Sequence, residues 1–327
     1  MQRVLVTGAA GYVGRNTVRA LRARGLAVRG LVRSAASRAV VEAAGGEAAE
    51  GDLLAPASLE AACADVEAIV HAAAATDHGN GAAGAADAQA QVNVGGTQAL
   101  LDAARKAGVR RIVHVSSEAV LATGRPLRNV DENTPIPARL AGPYSRTKAA
   151  AEQVVRTAAG LEAIVVRPRL VWGRDDTTFL PALEEAARTG KLQWIGGGRY
   201  LTSTSHIANV AEGLCLALER GAAGAVYFIA DAEPVEFRGF VERLLTARGV
   251  TPPRRSVPRP LVATAVAGGG WLESLTGGRL RAPLSRQEYA SLGMEVTVSW
   301  ARAARELGYK PIVSVEEGLR ELAARAA

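Results

Sequence analysis

The chain has 327 residues, 48% of them apolar and 4% aromatic, with a net charge of +7 carried almost wholly by arginine. That is enough apolar material for two packed lobes and too much for a chain disordered by composition. The arginines are scattered rather than clustered with aromatics, which argues against a nucleic-acid binder; two cysteines, Cys63 and Cys215, are too few for a disulfide framework; and no apolar run approaches the roughly 20 residues that cross a bilayer.

The chain opens at MQRVLVTG, which reads as a strand with no leader ahead of it, so a cytoplasmic protein is expected. From there, short β-branched runs alternate with amphipathic stretches. Strands are expected at VLVTG, AVRGLVR, an acidic segment ending at Gly51-Asp52, AIVHAAAA, RIVHVSS and AIVVRP. Helices are expected between them, from Val13 to Arg24, Ala36 to Ala44, Ser58 to Cys63, Gln91 to Ala107 and Tyr144 to Ala159. Gly25, Gly108 and Gly160 stand where left-handed stops belong. Strict alternation implies an α/β protein with a Rossmann-type doubly wound parallel sheet and a smaller C-terminal substrate lobe.

Residues 1–170 form the expected nucleotide-binding domain, with 203–233 returning to it, and 171–327 mostly build the substrate lobe. In that lobe Phe179 to Thr189, Ser205 to Leu218 and Phe237 to Arg248 read as helices and 225–230 as a strand. Thr251 to Pro260 reads as a connector and the end of the chain as helix, turn, helix. The apolar, glycine-interrupted stretch Leu261 to Thr276 suits a core helix pair, a lid over an apolar site or a surface touching other molecules, the first two being favoured. Gly79 to Ala90 suits a mobile loop.

The chemistry begins at TGAAGYVG, Thr7 to Gly14, between the first strand and the first helix. Glycines there let backbone approach a pyrophosphate, which the helix N-terminus then meets. The second strand ends Val32-Arg33, where a protein preferring NAD places a carboxylate. A guanidinium grips a 2′-phosphate instead, so NADP(H) is favoured over NAD(H), with Arg38 as a helper; the alternative is that Arg33 is one surface arginine among many. Asp52 either accepts from an adenine amino group, with Leu53 on the ring face, or caps the next helix. The small residues after His71, among them Ala72, Ala73 and Ala74, leave room for a dinucleotide.

Tyr144 and Lys148 lie four apart, on one face of a helix. A phenol titrates near 10 and is a poor base at neutrality; a nearby ammonium is expected to lower that value so the tyrosine can exchange a proton as hydride moves. Ser117, at the rim of the fifth strand, is expected to orient the substrate oxygen, Ser116 being the alternative. Asn93 either holds backbone or water near the lysine or is a plain cap.

Together TGxxGxxG, the SS pair and YxxxK resemble the extended short-chain dehydrogenase/reductase superfamily. VVRPRLVWG, STSHIANVAEGLCLAL and the closing ELGYKPIVSVEEGL carry the likeness on, toward the branch of 3β-hydroxysteroid and sterol-4-carboxylate dehydrogenases, while GLVRS is similar to dihydroflavonol-reductase-type members that use NADPH. The resemblance implies Ser117, Tyr144 and Lys148 as the catalytic set and Gly8, Gly11, Gly14, Asp52 and Asn93 around the cofactor. Tyr12, Val13, Pro168 and Leu170 are expected beside it, as are Tyr144 and Lys148 themselves. Thr76, Glu118, Trp172 and Thr204 are expected to face a small-molecule substrate, and a homodimer through the Tyr144 helix is in keeping with relatives.

Nucleotide-sugar epimerases of the superfamily tend to carry an arginine just before the pair matched by His206-Ile207, whereas Leu201 to Ser205 is uncharged. The expected activity is therefore interconversion of a secondary alcohol and a ketone on a mainly apolar molecule. A nucleotide-sugar epimerase or dehydratase and a non-catalytic NADP(H) sensor are the alternatives.

Overall fold

The computed structural model describes residues 3–76, 85–275 and 284–324. Val4, Leu5 and Val6 of β1 (Arg3–Thr7) are fully buried, as a parallel strand covered on both faces requires. After it come α1 (Tyr12–Ala23), β2 (Ala27–Val32), α2 (Ala35–Ala43), β3 (Glu47–Glu50), α3 (Pro56–Cys63) and β4 (Ala68–His71). The chain then runs through α4 (Ala85–Ala90), a π-helical turn over Gln91–Gly95, α5 (Gly96–Lys106), β5 (Arg111–Val115), β6 (Leu127–Val130), α6 (Pro143–Arg156) and β7 (Glu162–Pro168).

The remainder holds β8 (Val171–Trp172), α7 (Phe179–Arg188), β9 (Trp194–Ile195), β10 (Leu201–Thr202), β11 (Ser205–His206), α8 (Ile207–Arg220) and β12 (Val226–Ile229). Last come β13 (Val235–Glu236), α9 (Phe237–Ala247), β14 (Ser256–Val257), α10 (Arg259–Leu275), α11 (Arg286–Leu292), β15 (Val296–Val298), α12 (Ala301–Leu307) and α13 (Val315–Ala324).

Seven strands form one parallel sheet in the order β12-β7-β5-β4-β1-β2-β3. The chain leaves β1 toward β2 on one side and resumes with β4 on the other, so a crevice opens beyond the C-terminal ends of β1 and β4. One face is packed by Val18 and Leu21 of α1 and Val210 and Leu214 of α8. The other is packed by Leu59 of α3, Leu100 and Leu101 of α5 and Val155 of α6. A separate core around Trp172, Leu180, Phe240 and Leu244 holds the second lobe.

Asp231, just past β12, ties that core to the sheet. Its buried carboxylate accepts from Trp172 Nε1 at 2.8 Å and from Thr204 Oγ1, the His206 main-chain N–H and Asn209 Nδ2, each at 2.7 Å. Trp172 and Thr204 are themselves wholly buried. The substrate contacts expected of them are thereby corrected: both side chains are spent on the framework.

Three further expectations change. Residues 85–90 are helical rather than loop, and 79–84 lie outside the described residues. The helix expected from Gln91 opens with a π-helical turn. The apolar stretch from Leu261 is one helix, not a core pair: Val262, Ala263 and Val266 pack on Tyr289 and Met294, while Leu261 is 62% exposed. Among the described residues no helix is long and apolar enough to cross a membrane.

Removing the Asp231 carboxylate strands four buried donors, so Asp231→Ala is expected to lower the unfolding free energy by about 3–5 kcal/mol in urea titration. A loss below about 1 kcal/mol would contradict its role as the tie between the lobes.

Candidate functional site

A cleft of about 320 Å³ opens at the C-terminal ends of β1, β2 and β4. Its floor is backbone. Gly8 has φ +65°, and a Cβ there would lie 2.7 Å from Ala73 Cα; a Cβ on Gly14 would lie 2.1 Å from the Gly8 carbonyl oxygen. Neither contact tolerates a side chain, which is why the loop must be glycine at both positions. Gly11 donates to the Gly8 carbonyl at 2.9 Å, and the first i→i−4 bond of α1 is made by Arg15 to Gly11. The N–H groups of Tyr12, Val13 and Gly14 precede that bond and offer a phosphate its seat. The Tyr12 ring is buried; burial, then Asp176, pushes its hydroxyl well above the ordinary phenol value.

The walls are Ala10 of the glycine loop, Leu31, Val32, Arg33, Ser37, Asp52, Leu53 and Ala72–Ala75, with Val92, which the motifs do not point to. The Arg33 side chain is 73% exposed and faces Asp52 at 3.7 Å across the mouth. Asp52 Oδ1 accepts from the Leu54 N–H at 2.9 Å, while the cap position of α3 is Ala55, so Asp52 closes a local turn rather than capping that helix. Arg38 is engaged by Glu50 at 2.8 Å and Glu42 at 3.7 Å.

Asn93 sits in the π-helical turn and grips both polar groups of Ala75, accepting from its N–H at 2.7 Å and donating to its carbonyl at 3.1 Å. It also donates to Thr147 Oγ1 on α6 at 3.1 Å. It therefore pins the chain beyond β4 to the tyrosine helix. Thr76, at the edge of the described residues, is exposed.

The residues expected to be catalytic lie where β5 meets α6. Ser117 donates from Oγ to Glu118 Oε2 at 2.8 Å and is hydrogen-bonded to the Tyr144 hydroxyl. Burial first, then the Glu118 carboxylate, raises Tyr144 to about 12, against the lowering that Ser117 alone would give. The expected depression by Lys148 is thus corrected. Lys148 shares the helix, but its Nζ donates to the Val115 carbonyl at 2.6 Å, at the end of β5. Burial lowers it to about 8, with Glu152 opposing.

Beneath this rim lie groups that local motifs could not announce. Glu152 accepts from Ser116 Oγ at 2.7 Å and from Arg167 Nε at 3.0 Å, all three buried. Arg169 pairs with Glu118 at 2.9 Å and donates to Thr202 Oγ1 at 3.2 Å. Glu118, expected at the substrate, is only 5% exposed and belongs to this pair. His71 bridges Thr7 Oγ1 at 2.6 Å and Thr97 Oγ1 at 2.9 Å. Burial, then Lys148, lowers it to about 3 and puts His114 well below the usual imidazole value, so both are neutral.

Pro168 is buried at the end of β7, and Leu170, at φ +42°, packs against the second-lobe core. Both cysteines are buried, which raises Cys63 to about 11 and Cys215 to about 12 and leaves neither a ready thiolate. Among the described residues no cluster of His, Cys, Asp and Glu has the makings of a metal site.

Residues 5–259 match the 3-beta hydroxysteroid dehydrogenase/isomerase family. The chain belongs to that family. It is an enzyme that works on CH–OH and C=O groups with a nicotinamide nucleotide. It is 46% identical over 323 residues, 98% of its length and 95% of the relative's, to a 4-hydroxy-2-methyl-3-oxo-4-farnesyl-3,4-dihydroquinoline-1-oxide ketoreductase of Stigmatella aurantiaca. It is 36% identical, over 99% of both chains, to a 2-alkyl-3-oxoalkanoate reductase of Stenotrophomonas maltophilia. Among solved structures, a dTDP-glucose 4,6-dehydratase of Streptomyces venezuelae with NAD bound superposes with TM-score 0.77 and 26% identity, covering 99% of this chain and 96% of that one.

The glycine cradle fits such a nucleotide because only backbone, without Cβ atoms, lines its floor. Gly14→Ala is accordingly expected to weaken nucleotide binding at least about tenfold in a fluorescence titration, with circular dichroism unchanged. Unaltered affinity would mean that the nucleotide does not rest on this loop.

Proposed function

We propose that this enzyme reduces ketones on mainly apolar small molecules with NADPH, Tyr144 supplying the proton. The observation that carries the reading is a neutral tyrosine, hydrogen-bonded to Ser117 at the end of β5, on the helix that Asn93 ties to Ala75 in the wall of the glycine-floored cleft. A phenol raised to about 12 is protonated at neutral pH and suited to act as an acid toward a carbonyl oxygen.

The preference for NADPH is supported by Arg33 at the mouth of the cleft, directly after β2, with no carboxylate at the strand's end. Glu50, which ends β3, is engaged by Arg38. The apolar substrate class is supported by the second lobe. Gln287 of α11 accepts from Ser145 Oγ at 2.8 Å, next to Tyr144, and α10 packs its apolar side on Tyr289 of the same helix. The two relatives carry names that fit: one acts on a farnesyl-bearing quinoline oxide, the other on alkyl-substituted oxoalkanoates.

When bound, the nicotinamide supplies the hydride. The chain's part is to seat the pyrophosphate on the Gly8–Gly14 loop, to grip the 2′-phosphate with Arg33, and to hold nucleotide hydroxyls with the Lys148 ammonium. Tyr144 then passes its proton to the ketone oxygen as the carbonyl carbon becomes a carbinol, and regains one from solvent. A nucleotide-sugar dehydratase or epimerase is the second reading, favoured by the structural likeness to the dTDP-glucose enzyme. Against it stands the segment 201–205, which carries no charge for a diphosphate and is buried from Thr202 to Ser205.

With 2-alkyl-3-oxoalkanoates and prenylated quinolone ketones as probes, NADPH consumption is expected. Tyr144→Phe should lower kcat by about 10²–10⁴-fold without altering NADPH affinity. Full turnover by that variant would remove Tyr144 from the chemistry. Arg33→Ala should weaken NADPH about tenfold and leave NADH unchanged; an equal effect on both nucleotides would make Arg33 an ordinary surface charge.

A further inference from the structure

The helix that carries Tyr144 begins without a cap of its own. Its N-cap residue is Gly142, which has no side chain to accept from the first turn, and Pro143 at the first helical position has no N–H to satisfy. Arg146 makes the first intrahelical bond, to the Gly142 carbonyl at 3.1 Å. The N–H groups of Tyr144 and Ser145 therefore lie ahead of the helical ladder, and a buried donor in that place needs a partner from outside the helix.

For Ser145 the partner comes from the second lobe. Gln287 Oε1 accepts from the Ser145 N–H at 3.3 Å and from Ser145 Oγ at 2.8 Å, and Ser145 is wholly buried. Gly142 makes this approach possible: a Cβ there would lie 2.8 Å from both Cβ and Oε1 of Gln287. A residue that caps its own helix, such as serine or aspartate, is thus excluded at 142 by the side chain that does the capping from α11.

Gln287 is itself firmly held. Its helix is closed at the start by a capping box, in which Ser285 Oγ accepts from the Glu288 N–H at 3.1 Å and Glu288 Oε2 from the Ser285 N–H at 2.7 Å. At the other end the Ser291 carbonyl accepts from Arg169 Nη2 at 2.5 Å and the Leu292 carbonyl from the Tyr200 hydroxyl. Tyr289 packs on Val262 and Val266 of α10, and Ala290 on Ala122 and Ala141. One short helix therefore joins the apolar α10 to the start of the tyrosine helix.

We infer that Gln287 is a positioning residue for the reduction: it supplies from the substrate lobe the cap that the tyrosine helix lacks, and so fixes the turn from which Tyr144 meets the ketone. Helix ends fray, and Tyr144 stands at the second helical position, directly before the residue that Gln287 holds. Loosening that turn displaces the phenol, while Lys148, one turn further in, keeps its bond to the Val115 carbonyl. The inference rests on the reading of Tyr144 as the proton donor; Gln287 acts through Ser145.

The test compares Gln287→Met, which keeps the length of the side chain without its acceptor, with Gln287→Glu, which keeps the acceptor and adds a charge that a helix start favours. Amide hydrogen exchange needs no substrate. The Ser145 N–H should exchange at least about tenfold faster in Gln287→Met and at about the parent rate in Gln287→Glu. With NADPH and a 2-alkyl-3-oxoalkanoate, Gln287→Met should lower kcat about tenfold and leave NADPH affinity and KM for the ketone within about twofold, and Gln287→Glu should recover most of kcat.

Unchanged exchange at Ser145 in Gln287→Met overturns the cap. Faster exchange with undiminished kcat, a loss confined to KM, or a loss that Gln287→Glu does not repair overturns the positioning role. Tyr144→Phe separates this role from the function itself. If that variant is inactive, the function stands whatever Gln287 does; if it turns over fully, Tyr144 is not the proton donor and both fall.

Discussion

Four buried charges under the rim of one strand hold the candidate site in place. Arg167 with Glu152 and Arg169 with Glu118 sit where the sheet is otherwise apolar, and each ion is tolerated only because its partner and further hydrogen bonds replace the lost water. Their arrangement decides where the two serines point. The desolvated surroundings that would penalise an unpaired charge also raise Tyr144 and lower Lys148.

The glycine loop works by the opposite means, by absence. Gly8 and Gly14 let backbone pack on backbone, which leaves a shallow cradle at the point where the strand order reverses. Asn93 completes that end by fixing Ala75 to the tyrosine helix, so the glycine-floored cleft and the helix of Tyr144 are joined by hydrogen bonds that run through one side chain.

Much of this was legible in the sequence because it is local. Strand–loop–helix with glycines, a serine pair at a strand end and a tyrosine four residues before a lysine are short-range patterns, and the alternation of elements gives the parallel sheet. What could not be read lies in long-range partners. Glu118 meets Arg169 across 51 residues, and Asp231 gathers donors from Trp172 to Asn209, so Trp172 and Thr204 seemed free to meet a substrate when both were already engaged. The Tyr144–Lys148 spacing correctly places both on one helix. It does not reveal that the ammonium turns to the Val115 carbonyl, leaving burial and Glu118 to set the phenol. Two-residue strands such as β8 and β11 carry no periodicity at all and appear only once the fold pairs them.

Net reduction of a ketone, which consumes the nucleotide, differs from the transient oxidation and return of hydride used to remodel a sugar. The most direct measurement is mass spectrometry of products formed from a 2-alkyl-3-oxoalkanoate with NADPH deuterated at the transferable position. The expected product is an alcohol bearing one deuterium on the carbinol carbon, with one equivalent of oxidised nucleotide formed per product. No label in any ketone product, together with conversion of a nucleotide sugar that leaves the nicotinamide unchanged overall, would contradict it.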